Sequence, residues 1–262
     1  MLFPFRDNNP TRVTPVVTIG LIGLNVFVFL YQMTLQGHAG ERFVYTFGMI
    51  PAVLFGYVTL PPGLAEIPPW ATIFTSMFLH GGFMHIAGNM LFLWVFGNNV
   101  EDAMGHARFI VFYLLCGVAA ALAQGFSDPS SQIPMIGASG AISGVLGAYL
   151  ILHPRAEVHS LLFLGIFIRV IELPAMVVLG LWFGLQVLNA LLASGEGGGV
   201  AFLAHIGGFI AGVILIPLFR DKRAVAWQKH ERLEHGPWQP GPWSQRGPWG
   251  PRDSRNRRGP WG

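Results

Sequence analysis

The chain has 262 residues, 52% of them hydrophobic and 11% charged, with a mean hydropathy of +0.51 and a formal net charge of +3. A soluble domain of this length carries about twice that charge, so the composition excludes an ordinary water-soluble protein and points to a chain that crosses a membrane several times. From Arg220 onward ten Lys and Arg face four Asp and Glu, which makes the tail +6 and the rest −3.

In chain order, MLFPFRDNNP is short and does not read as a cleavable signal, so residues 1–13 are assigned to a cytoplasmic N-terminus. The first apolar run, 14–35, is long enough to span. The segment 36–77 is rich in Pro and aromatics (PPGLAEIPPW) and poor in charge, which predicts a long external loop lying on the outer membrane interface. Further spans are predicted at 78–98, 109–125, 138–152, 173–194 and 200–219. The fourth is short and closed by His153-Pro154, as suits a helix buried among neighbours rather than lipid. Between the fourth and fifth, SLLFLGIFI (160–168) is too short to cross and is read as an interfacial or re-entrant segment, with His159, Arg169 and Glu172 at headgroup level.

The expected fold is therefore an all-α membrane protein, a six-helix bundle over 14–219. Orientation follows from Lys and Arg: Arg6, Arg12, Arg108, Arg155, Arg169 and the ten tail residues fall inside, and Arg42 outside. Both termini are then cytoplasmic, and the location is the plasma or inner membrane. Residues 220–262 are basic and low in complexity, with GPW at 236, 241, 247 and 259, and are expected to be a disordered cytoplasmic tail. A basic tail behind a last span marks the cytoplasmic side, and no nucleic-acid partner is expected. The lone Cys116 permits no intrachain disulfide.

Three spans run in the same direction, and each carries its polar residues near its outer beginning. The second has HGGFMHIAGN with His80, His85 and Asn89, the fourth opens on GASG with Ser139, and the sixth reads AHIGGFIAG with His205. At 1.5 Å per residue these groups reach comparable depth. Small residues permit a close approach: Gly140, Gly144 and Gly147 recur at helical spacing, as do Ala204, Gly208 and Gly212. Gly137 and Gly140 leave Ser139 uncovered. A serine hydroxyl needs a base, and His205 is the available one. Asn89, His85 and the Ser139 backbone N–H are positioned to stabilise an oxyanion. No Asp or Glu lies within any of these three spans, so the constellation is a Ser–His pair without an acidic third member.

A lone intramembrane serine ordinarily bonds its own helix. An intramembrane histidine is costly and is a functional candidate by default. His80 and His85 are five residues apart, poor spacing for a shared metal, and no HExxH is present; no metal and no cofactor is expected.

With GASGAISG, AHIGGFIAG and HGGFMHIAGN on three spans of a six-span core, the sequence resembles the rhomboid family of intramembrane serine proteases. The resemblance implies hydrolysis of a peptide bond in single-span membrane protein substrates, with Ser139 as nucleophile, His205 as general base, His85, Asn89 and the Ser139 N–H around the oxyanion, and water entering from outside. Two features depart from the family pattern. Trp70 is followed by Ala71 where many members carry Trp-Arg, and Ser143 stands where some place an aromatic against the histidine. The sequence thus names nothing to hold the His205 ring. Two other functions compete: a silent relative that binds membrane clients, which would ordinarily lack Ser139 or His205, and a transporter, which would line a through-route with charge.

Overall fold

The computed structural model describes residues 2–35, 37–164, 167–192, 201–225 and Gln228; the GPW repeats lie outside the described residues. The chain opens with a strand, β1 (Leu2–Asp7), followed by helix α1 (Val16–Thr34). The first loop folds into α2 (His38–Phe47), α3 (Pro51–Leu54) and α4 (Thr72–Thr75), the last flanked by 3-10 turns at Pro69–Ala71 and Ser76–Phe78. Then come α5 (Phe83–Met104), α6 (His106–Ser127) and α7 (Ser139–Leu152), an antiparallel hairpin β2 (Glu157–Leu164) and β3 (Phe167–Pro174), and finally α8 (Ala175–Leu192) and α9 (Phe202–Phe219). Among the described residues four helices, α1, α6, α8 and α9, are long and apolar enough to cross a membrane. The α4 region and α5, bent by 83° at their junction, make a fifth if counted as one.

The shorter α7 sits at the centre. Its residues from Ala141 through Tyr149 are all buried, and it packs against α5, α6 and α9. Fourteen residues rise about 21 Å, less than a hydrocarbon core of about 30 Å, which a helix sheathed by other helices tolerates.

Two acidic residues at the end of α5 fix the start of α1. Pro15 gives α1 no side-chain cap, so Glu101, fully buried, takes that role: its carboxylate accepts from the backbone N–H of Val17 (3.0 Å) and Thr18 (2.8 Å) and from the Thr18 hydroxyl (2.6 Å). His106 Nδ1 lies 2.6 Å from the same carboxylate. Asp102 accepts from the backbone N–H of Arg12 and Val13, and Gln228 donates to it at 2.8 Å. Gln228 belongs to the stretch expected as a disordered tail, yet it is buried.

The all-helical expectation is corrected by the sheet. β2 pairs with β1 on one side and β3 on the other, both antiparallel, in the order β1-β2-β3. The run read as interfacial gives residues 160–164 to β2 and 167–168 to β3. Length and hydropathy cannot separate a short apolar helix from a strand. The β-branched residues Val158, Ile168, Val170 and Ile171 are the signal for pairing. The segment 1–13 supplies the third strand, with Leu2 opposite Leu162 and Asp7 opposite Val158.

Candidate active site

The first loop sets where α7 begins. Met49 and Met135 exchange backbone hydrogen bonds (3.1 and 2.8 Å), Ala52 N–H donates to Ser131 O at 2.9 Å, and Gly137 N–H donates to Ser76 O at 2.8 Å. The stretch 131–137 is thereby held before the chain turns into the helix. Gly137 makes that turn at φ 124°, a conformation L side chains rarely adopt. A Cβ at this position would lie 2.8 Å from His85 Nε2 and 3.7 Å from Asn89 Nδ2. Gly137 thus lets two side chains of α5 close over the backbone immediately before Ser139.

Those side chains are arranged as donors. His85 Nδ1 accepts the Gly81 N–H at 3.3 Å, so a neutral ring carries its proton on Nε2, the nitrogen facing Gly137. Asn89 is buried, and its Nδ2 has no hydrogen-bond partner among the described residues. Ser139 opens α7, where first-turn N–H groups have no acceptor within their own helix. His85 Nε2 and Asn89 Nδ2 thus lie beside Gly137, two residues before Ser139 in the chain. His80 is also buried, its ring centroid 5.1 Å from that of His85.

On the other side α9 delivers the imidazole. Its first turn is held by Gln124 of α6, whose Oε1 accepts the Ala204 N–H at 3.3 Å. The glycine faces bring α7 and α9 backbone to backbone. A Cβ on Gly208 would strike the Gly140 carbonyl oxygen, one on Gly212 the Gly144 carbonyl, and one on Gly144 the side chain of Cys116. At this spacing His205 Nε2 stands 2.8 Å from Ser139 Oγ.

The residue missing from the sequence reading is Gln186. Its Oε1 lies 2.8 Å from His205 Nδ1, and its Nε2 faces the Trp182 carbonyl oxygen at 3.5 Å. Trp182 also lies beside the imidazole, centroids 5.9 Å apart. Trp182 and Gln186 are four residues apart on α8, a pairing on one helix face that was visible in the sequence but carried no motif. Ser143 does not hold the ring: its hydroxyl donates to the Ser139 carbonyl at 2.6 Å. Among the described residues no three His, Cys, Asp and Glu side chains gather as a metal site.

A serine and a histidine in contact across two apolar helices are an arrangement that could serve acyl transfer. Residues 68–222 match the family model of the Rhomboid domain, well over half of the chain, and the chain belongs to the rhomboid family. It is 37% identical over 146 residues to the rhomboid protease GluP of Bacillus subtilis, covering 56% of this chain and 26% of that one. It is 31% identical over 170 residues to the mitochondrial Rhomboid protein 1 of Saccharomyces cerevisiae, covering 62% and 45%. With the rhomboid protease AarA of Providencia stuartii it shares 28% over 217 residues, 76% of this chain and 70% of that one. The chain spans about a quarter to a half of the first two relatives.

Proposed function

We propose that the protein is an intramembrane serine endopeptidase acting on single-span membrane protein substrates, in or near their transmembrane segment. The observation that carries this reading is the 2.8 Å contact between Ser139 Oγ and His205 Nε2. Membership of a family whose curated relatives include proteases named GluP and AarA supports it.

In the proposed reaction His205 Nε2 takes the Ser139 proton as Oγ attacks the scissile carbonyl carbon. The C=O electron pair moves onto oxygen, and His85 Nε2–H, Asn89 Nδ2–H and the Ser139 N–H stabilise that oxyanion. The imidazolium returns its proton to the leaving amine as the C–N bond breaks. Water, deprotonated by His205, then hydrolyses the acyl-enzyme and Ser139 recovers its hydrogen. An intact substrate helix hides its carbonyls in its own hydrogen bonds, so the substrate must unwind locally before attack.

The same reading includes a six-span topology with α7 as the short fourth span, both termini cytoplasmic, and water entering from the opposite side. The location it implies is the plasma or inner membrane. The 15-to-1 distribution of Lys and Arg in that arrangement supports it. Purified full-length protein in detergent should cleave a model single-span substrate, and Ser139→Ala and His205→Ala should each abolish cleavage while remaining folded. Undiminished cleavage by either variant would reject the reading.

A further inference from the structure

We propose that Gln186 is a positioning residue that holds His205 in the one tautomer able to accept the Ser139 proton; this rests on the protease reading above. An amide oxygen only accepts hydrogen bonds. Gln186 Oε1 at 2.8 Å from Nδ1 therefore requires the proton on Nδ1 and leaves the Nε2 lone pair facing Ser139 Oγ, also at 2.8 Å. The amide's own orientation is set by its other end. Nε2 faces the Trp182 carbonyl oxygen, and turning the amide over would bring two oxygens together.

The position of Gln186 strengthens the argument. Apart from Gln186 and the exposed Asn189, helix α8 is apolar, and it is largely exposed along its second half, with Leu181, Leu185 and Leu188 all about half exposed. A glutamine in such a helix has an easy partner in the carbonyl one turn back, and its N–H₂ takes it. That leaves an oxygen to be satisfied inside an apolar layer, and the oxygen points across the helix interface at the ring. Ser143, at the position where some family members place an aromatic, bonds its own helix instead of the ring. Gln186 supplies the acceptor and Trp182 flanks the ring. A neutral acceptor fixes the tautomer without placing a charge in the membrane.

The test uses the full-length protein in detergent with a single-span substrate. Gln186→Leu should lower kcat roughly 10–100-fold with KM within about two-fold, because the ring loses its orientation and not its substrate. ¹⁵N NMR of His205 should show the Nδ1–H tautomer in the unaltered protein and a mixture in Gln186→Leu. Gln186→Glu should recover most of kcat and move the acid limb of the pH–rate profile to higher pH, since a carboxylate there favours the imidazolium and delays its deprotonation. Unchanged kcat in folded Gln186→Leu, a His205 tautomer that does not respond, or an unmoved acid limb in Gln186→Glu would each overturn the assignment. Should Gln186→Leu not fold, Gln186→Glu and the tautomer of the unaltered protein decide alone. Loss of cleavage in Ser139→Ala together with full activity in Gln186→Leu would reject the positioning role and keep the protease. Cleavage by Ser139→Ala would reject the protease itself.

Discussion

Gly212 of α9 lies against the carbonyl of Gly144 in α7 so closely that a methyl group at position 212 has nowhere to go. This contact and its neighbour, Gly208 on Gly140, set the distance at which α9 presents His205 to Ser139. Gly212→Ala should therefore push the helices apart, destabilising the fold by about 1–3 kcal/mol. Cleavage should fall further than the folded fraction does. Gly23→Ala, in α1 where the added methyl meets nothing within 4 Å, is the control and should leave both unchanged. Thermal unfolding in detergent beside the cleavage assay reads both.

Gly137→Ala tests the α5 side of the site. The substitution combines a backbone at φ 124° with a Cβ pressed on His85 Nε2. The strain alone is of order 1–3 kcal/mol, and the displaced ring removes a proposed oxyanion donor. A kcat loss of roughly 100-fold in the surviving folded protein is expected, with KM little affected. Activity near that of the unaltered protein would mean the His85 ring is not needed where it lies.

Glu101→Ala leaves the start of α1 uncapped. Three hydrogen bonds to a fully buried carboxylate disappear, and His106 loses its partner. A loss of about 3 kcal/mol or more is expected from thermal unfolding. Truncation gives a linked result: removing residues 231–262 should be neutral, whereas removing 226–262 also removes Gln228 from Asp102 and Asn99 and should lower Tm.

Asp7 predicts a pH dependence. Burial pushes its carboxyl from 3.8 up to about 7, against the opposing pull of the Tyr149 hydroxyl, which donates to Oδ2 at 2.5 Å. Below pH 3.8 the group is protonated folded or unfolded, and burial carries no penalty. As pH rises toward 7 the unfolded chain gives up the proton that the folded chain keeps, so stability falls, levelling off above about 7. Tm in detergent should drop between pH 5 and pH 8, and Asp7→Asn should flatten that slope. An equal slope in the variant would remove Asp7 as its source.

Much of this architecture could be read before any coordinates. The starts of α7 and α9 and the glycine faces between them follow from hydropathy and from helical spacing of small and polar residues. Two features escaped for identifiable reasons. The hairpin Glu157–Pro174 is apolar and short, and its third strand comes from residues 2–7, a pairing across some 150 residues that no local pattern signals. Gln186 is one of two amides, with Asn189, in a leucine-rich helix, and only the tertiary approach of α8 to α9 reveals that it meets His205.

Reaction of the full-length protein with a fluorophosphonate probe tests the central claim most directly. Covalent labelling that maps to Ser139 by peptide mass spectrometry and is lost in His205→Ala is the predicted result. Folded protein that cleaves its substrate yet never labels at Ser139, or that labels equally without His205, would contradict it.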